Sequence, residues 1–284
     1  MDSEHTAPTE RLWTPWRMKY VGGHAKEDGC IFCNRIAETQ DISSLVLYRG
    51  QHVFAIMNLY PYNTGHIMLV PNQHASDPSE LPAAAWEEMG TTLPLLTNTL
   101  RCVFGCDGFN VGLNIGSVAG AGVAAHLHQH IVPRWIGDAN FMPVMASTMV
   151  LPELIPVTYA KIRAEIEHEL TGADFATLVL VDRTGQAVLI HNGILPQVHL
   201  EPDVPVWKSV MDAVPAGVAE VELAGWAGQE SAMSPDAGTI GLTLRGIVPE
   251  NLTEGWQLTS IDDNLDAAMR ATIERAVAQI APRI

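Results

Sequence analysis

Two clusters of residues in this chain are spaced to do chemistry. One is the run His126, Leu127, His128, Gln129, His130; the other is Cys30 and Cys33, separated by Ile31 and Phe32. In an extended strand alternate side chains point to one face, so His126, His128 and His130 share a surface while Leu127, Gln129 and Ile131 take the other. Imidazole suits attack on phosphorus at neutral pH: its neutral nitrogen is nucleophilic, and the resulting phosphoramidate passes its phosphoryl group onward. In such a set His126 or the backbone could fix the tautomer of His128. His130 could donate to a phosphate oxygen as charge builds in the transition state. The bare alternation also fits a metal site or a pH-sensitive surface strand. Gly112, Asn114, Gly116, Gly120 and Gly122 precede the run and form backbone able to approach phosphates closely, although such glycines are more often tight turns than cradles.

Cys30-x-x-Cys33 is half of a zinc site, because structural zinc wants four ligands. In a reducing compartment this pair suggests metal or redox chemistry. Cys102 and Cys106, four apart near the end of a predicted helix, read as buried thiols.

These residues need a frame. Apolar runs at 45–49, 53–59 and 66–70 predict strands, with turns at Arg49 to Gln51 and at Pro61 to Gly65. A helix is expected over 79–103, with Ser79 as N-cap and Pro94 kinking or splitting it. Strands at 109–115 and 127–133 flank the glycine-rich loop, and a helix over 152–170 closes the unit. Near Thr171 the pattern restarts with a hairpin, Thr177 to Val181 and Ala187 to Ile190, followed by apolar runs at 218–224 and 239–244 and a last helix over 263–280. The expected class is α+β in two domains: residues 1–171 with an antiparallel sheet and flanking helices, and residues 172–284 as a second small α+β domain.

With 284 residues, 47% hydrophobic and 17% charged, the chain is globular in composition and long enough for two cores. Its net charge of −16, with no Lys/Arg cluster, argues against long nucleic acid as a partner. A small phosphate ester remains compatible, because backbone amides and imidazoles can bind one locally. No apolar run approaches the ~18 residues of a membrane span, and Met1 to His5 lack the blocks of a signal peptide, so the cytoplasm is the expected compartment.

The stretches Asn58–His66, Asn110–Gly116, His126–Trp135 and Gly137–Val144 make the chain resemble the histidine triad (HIT) family over residues 11–170. The run Pro133 to Phe141 is similar to the bacterial branch that includes diadenosine tetraphosphate phosphorylases. The resemblance implies a HIT-like fold and a nucleotidyl transferase or hydrolase acting on nucleoside or dinucleoside polyphosphates, with an adenine nucleotide as partner. It implies that His128 takes the nucleotidyl group, that His130 contacts the α-phosphate and that His66 supports the network. Asn58 matches the position that holds the ribose hydroxyls, and Asn114 one near the phosphates; read alone, they are a turn Asn and a strand-end Asn. Gly116 and Gly122 belong to the nucleotide-binding loop.

Relatives with a CxxC here bind zinc through a set that maps onto Cys30, Cys33, His74 and His126. Its role would be structural, since Cys2His2 leaves no open position, and the chemistry itself needs no cofactor. Two departures stand out. Gly122 replaces a Ser or Gln that usually serves the leaving group, which leaves a non-catalytic nucleotide-binding or sensing protein as the alternative. Gln129 replaces an apolar residue, a change that another subunit could accommodate, and a homodimer is expected. Residues 173–284 start like a Nudix domain but lack its glutamate box. There His191 and His199 read as loop histidines and Trp207, Trp226 and Trp256 as core, and docking or oligomer formation is the default role.

Overall fold

The structure, a computed structural model, describes residues 28–120, 122–138, 153–228, 240–249, 252, 255–261 and 265–278. Met1 to His5, residues 11–27 of the family-like region and residues 139–144 of its last motif lie outside the described residues.

The first sheet has five strands: β1 (Val46–Arg49), β2 (Val53–Met57), β3 (Ile67–Pro71), β4 (Gly108–Leu113) and β5 (Gln129–Arg134), all antiparallel in the order β1-β2-β3-β5-β4. Both faces are covered, which is why β2 and β3 read as unbroken apolar runs rather than alternations. One face, with Val53, Ala55, Ile67, Leu69 and Ile131, packs on a long helix through Met89, Leu96 and Leu100. The other, with Phe54, Ile56, Met68 and Val70, packs on Phe32 of helix α1 (Ile31–Ala37). Neither α1 nor the one-turn α2 (Asp41–Ser44) was expected from the sequence.

The long helix, α3, spans Ala83–Phe104. Ser79 is not its N-cap. Pro78–Glu80 form a separate 3-10 turn capped by Asp77, and α3 starts after Pro82. Pro94 does not split it: Pro94 and Gly90 are both exposed, so the Gly90 carbonyl that lacks its helical donor can turn to water. At its end Cys106 is buried. The half-buried Cys102 donates to Glu165 at 3.3 Å, and burial and that carboxylate push its thiol up to about 12.

Helix α4 (Ile155–Thr171) ends at Gly172, whose φ of 62° suits a left-handed cap, and a second sheet follows. Its strands are β6 (Phe175–Asp182), β7 (Ala187–His191), β8 (Gln197–His199), β9 (Ala219–Trp226), β10 (Ile240–Ile247) and β11 (Trp256–Ser260). The order is β11-β7-β6-β10-β9 with β8 on β6, and β6 and β10 run parallel. The β6–β7 hairpin is paired through Leu180 with Leu189 and Val181 with Val188. Helices α5 (Val206–Asp212) and α6 (Ala267–Ala278) complete the unit; α5, β8 and β11 were not anticipated. Trp226 is fully buried, whereas Trp207 and Trp256 are half-buried. No helix among the described residues is long and apolar enough to cross a membrane.

Helix α4 touches both sheets, and a single hydrophobic cluster runs from Leu47 and Leu69 through Ile162 and Ile166 to Leu178 and Leu244. A buried ionic group sits in it. Arg163 and Asp41 are both fully buried. The Arg163 guanidinium lies 3.5 Å from Asp41 and 2.9 Å from Glu167, donates to the Leu47 carbonyl at 3.2 Å, and sits 5.9 Å from the Trp226 ring centre. Asp41 also receives Arg49 at 2.7 Å, and Arg49 in turn donates to the Ile36 and Glu38 carbonyls at the end of α1. Removing one member of a buried pair strands the others. Asp41→Ala is therefore expected to cost roughly 3–5 kcal/mol of stability in urea unfolding, against under ~1 kcal/mol for removing the exposed Lys208–Asp212 pair. Similar losses for both would show that the buried group is not an anchor.

Candidate active site

The triad run sits where β5 begins, not inside it. In the β3–β5 register, Met68 faces His130 and Leu69 faces Gln129. Continuing that register would bring Leu127 opposite Pro71, which has no N–H to give, so the ladder stops. The expected strand over 127–133 therefore starts at Gln129. His126 and His128 lie in the lead-in, where the Leu127 N–H donates to the Ala75 carbonyl at 2.7 Å. The Pro71 carbonyl accepts from His126 Nε2 at 2.9 Å. Leu127 is buried against Ala75 and Leu81, and Gln129 takes the α3-facing side beside Leu69. Gln129 Oε1 is buried with no partner among the described residues.

The hydrogen bonds decide the protonation of each imidazole. His128 Nδ1 lies 2.8 Å from the His126 carbonyl, an acceptor, so Nδ1 carries the proton and Nε2 keeps its lone pair. Burial pushes the His128 pKa down, which keeps the ring neutral at pH 7. The Tyr62 N–H donates to His66 Nδ1 at 3.0 Å, so the His66 proton is on Nε2 and is donated to His130 Nδ1 at 3.0 Å. That leaves the His130 proton on Nε2, which lies 3.4 Å from the Asn114 amide nitrogen; the two are both donors as placed, and the amide turned over would present its oxygen to that proton. Complete burial, and then the proximity of His130 and His128, pushes His66 down to about 3.

A cavity of about 450 Å³ opens over these rings. His128, His130, Asn58, Asn114 and Gly122 line it. Gly116 is not among its described lining residues, and its φ of 77° turns the chain after β4. His66 lies behind the wall. Asn58 Oδ1 accepts the Tyr60 N–H at 2.8 Å, a turn bond, while its amide nitrogen lies 3.4 Å from the His66 ring. The loop from Pro61 to Gly65 is fastened by Asn63, which donates to Asp138 at 2.8 Å and to the Pro133 carbonyl at 3.1 Å. Asp138 also takes the Arg134 guanidinium, which holds its carboxyl well below the usual range.

Cys30, Cys33, His74 and His126 converge, with their ligating atoms within 4.8 Å of one another. Cys30 Sγ is 3.3 Å from His126 Nδ1, and Cys33 Sγ is 3.3 Å from His74 Nδ1 and 3.6 Å from His126 Nδ1. Because His126 Nε2 must donate to Pro71, its Nδ1 lone pair faces the sulfurs, the tautomer that a metal ligand requires. Burial and the neighbouring Cys30 raise the Cys33 thiol, a penalty that a bound cation would reverse. The group can hold a metal ion.

Sequence reasoning missed several wall residues. Phe32 packs 5.0 Å from the His128 ring and 5.4 Å from the His126 ring, and Tyr62 lies 4.8 Å from His66. Arg35, Ser43, Ser44 and Leu45 also line the cavity. The available signals were position within CxxC for Phe32 and within the Asn58–His66 motif for Tyr62; Ser43 to Leu45 carry none.

The HIT domain family matches residues 39–135. An AP-4-A phosphorylase of Mycobacterium tuberculosis is 39% identical over 153 residues, 51% of this chain and 78% of that protein. An uncharacterized HIT-like protein of Methanocaldococcus jannaschii is 36% identical over 113 residues, 39% of this chain and 83% of that protein. Among solved structures, a zinc-bound histidine triad family protein of Mycobacterium smegmatis is 21% identical with a TM-score of 0.40, covering 51% of this chain and 97% of that one.

The buried His66 carries a pH signature. Its folded pKa, about 3, lies below the ordinary 6.5, so on acidification the unfolded chain binds the proton first. The His66 contribution is complete above 6.5 and is lost as pH falls from 6.5 toward 3. Between pH 7 and pH 5 wild type should lose about 2 kcal/mol more stability than His66→Gln, whose amide does not titrate. Parallel pH dependence of urea midpoints in the two proteins would refute a buried neutral His66.

Proposed function

The chain belongs to the histidine triad (HIT) family, and from that footing we propose that it breaks and remakes phosphoanhydride bonds in nucleotides through a nucleotidyl intermediate on His128. The observation that carries this reading is the 2.8 Å bond from His128 Nδ1–H to the His126 carbonyl, which leaves a neutral Nε2 lone pair at the wall of a nucleotide-sized cavity. In the proposed step Nε2 attacks the α-phosphorus of a nucleoside or dinucleoside polyphosphate. The N–P bond forms as the anhydride P–O bond breaks, and the leaving phosphate takes the electron pair. Inorganic phosphate or water then attacks the same phosphorus and frees His128.

The other roles follow from the same bonds. His130 is proposed to donate its Nε2 proton to an α-phosphate oxygen while His66 holds its far nitrogen, an arrangement worth more in a dry site than in water. Asn58 is proposed for the ribose hydroxyls, Asn114 and the backbone around Gly116 and Gly122 for the phosphates. Similarity to an AP-4-A phosphorylase supports a diadenosine polyphosphate as substrate. Gly122 lines the cavity without a side chain to serve the leaving group, and this favours a second reading in which nucleotide is held without turnover.

For the metal we propose structural zinc at Cys30, Cys33, His74 and His126. Tetrahedral zinc with S and N ligands puts neighbouring ligand atoms roughly 3.3–3.8 Å apart, and the three S–N separations of 3.3, 3.3 and 3.6 Å fit. When bound, the ion supplies a fixed charge that joins α1 to His126. We take residues 1–171 as the catalytic domain and 172–284 as a second α+β domain. A homodimer is supported by β4, an edge strand with Val111 exposed and Ile115 exposed just beyond it.

Two experiments test these proposals. After mixing with diadenosine tetraphosphate and denaturation, mass spectrometry should find one nucleotidyl group on His128 in wild type and none in His128→Ala; ADP should appear only when phosphate is supplied if the acceptor is phosphate. Binding without an adduct or turnover would select the second reading. Metal analysis should give about one zinc per chain, and Cys33→Ser should abolish it and lower the Tm. Protein purified without chelator and free of zinc would overturn the metal proposal.

A further inference from the structure

A second cavity, of about 610 Å³, lies where the two units meet. Its walls come from α2 and its flanks, from Pro156 and Tyr159 of α4, from Gly225 of β9 and from the last turns of α6. Ser43 and Leu45 line both this cavity and the first, so the two share a wall, yet no histidine is among the described lining residues here. Small-molecule sites concentrate at such junctions and have volumes of this order. The wall is mostly apolar, with Ile42, Leu45, Pro156 and Ala278. Tyr159 belongs with them, because its hydroxyl is already committed to the Val46 carbonyl at 3.0 Å.

Arg275 stands in that wall. Its Nη2 donates to the Thr272 hydroxyl at 3.1 Å, while its Nε is buried with no partner among the described residues. A guanidinium carries five N–H donors, and a buried one left unpaired is costly. Glu274, its neighbour in the lining, makes no ion pair with it. Elsewhere carboxylates take the arginines: Asp41 and Glu167 take Arg163, and Glu222 takes Arg245. In the first cavity Glu38 takes Arg35, and its other oxygen accepts the Ser44 hydroxyl. With 32 acidic residues against 16 basic ones, carboxylates are plentiful, and Arg275 still has none.

We propose that this inter-unit cavity is a second ligand site, for a small monocarboxylate with an apolar body. The carboxylate pairs with Arg275, accepting N–H bonds that Thr272 does not use, and the body lies along Ile42, Leu45 and Tyr159. One guanidinium balances one negative charge. A phosphate monoester, close to doubly charged at pH 7, would bring excess charge beside Glu274. A neutral molecule of the same shape would leave the guanidinium unpaired.

Calorimetric titration of the 284-residue chain with octanoate, 1-octanol and octyl phosphate tests this, and the wild-type comparison needs no variant. Octanoate should bind at one site per chain, roughly tenfold more tightly than octanol, the weight of one charge-assisted hydrogen bond. Octyl phosphate should bind more weakly than octanoate. In Arg275→Met, octanoate and octanol should come within about threefold of each other. Ala278→Trp, which fills the cavity from an exposed helix position, should weaken binding of all three. An unchanged Tm shows that each variant is folded. Equal affinity for octanoate and octanol in wild type, or octyl phosphate binding as tightly as octanoate, would overturn the proposal. So would octanoate binding that either substitution leaves unchanged, or no binding of any of the three.

Discussion

The site hangs on the bonding of one residue, His126. Its Nε2 is committed to the Pro71 carbonyl, its Nδ1 faces Cys30 and Cys33, and its own carbonyl takes the His128 proton. Each bond fixes the next. The first arises because proline ends the β3–β5 ladder and leaves a carbonyl without a strand partner. The second brings the amino end of α1 against the lead-in to β5. The third sets which nitrogen of His128 keeps its lone pair. A charge-neutral backbone contact thus does what a carboxylate does in other histidine-dependent sites, and it does so without adding negative charge beside a phosphate.

The position of α1 has a second determinant, far from the histidines. Arg49 ties the carboxyl end of α1 to Asp41, and Asp41 is shared with Arg163 of α4, which lies against Trp226 of the second sheet. The helix that carries Cys33, Phe32 and Arg35 is therefore held at one end by the Cys/His cluster and at the other by a buried ionic group. Replacing such a group by apolar residues need not destabilise a protein, but breaking it does, because each remaining charge would stay in a low-dielectric interior. The second unit thereby bears on the cavity over the histidines through packing and charge without lining it among the described residues.

What the sequence revealed follows from how local each signal was. The strands of the first sheet, α3 and the β6–β7 hairpin were legible because their apolar runs are long and bounded by turn residues. Helix α1 was hidden by its seven residues, which carry a cysteine motif instead of a helical apolar period, and α2 by its single turn. The start of β5 was misplaced by two residues because a ladder ends where its partner strand supplies no N–H, a fact written at Pro71 and not at His128. The histidines, Asn58 and Asn114 were found from pattern and family resemblance. Arg35, Ser44 and Glu38 were not, since their relation exists only after α1 and α2 fold against β1.

A polyphosphate site in a chain of net charge −16 must overcome an unfavourable field. Screening reduces that field to little beyond a Debye length of about 8 Å at physiological salt, so the contest is decided by contacts within one layer of side chains. There a hydrogen bond to a charged oxygen contributes about 1.5–3 kcal/mol, and the donors at hand are the His130 Nε2–H and backbone N–H groups of the glycine-rich loop. Neutral imidazoles are the consistent choice, because a protonated His66 beside His130 and His128 would raise the cost of charging both and would remove the lone pair that accepts from Tyr62.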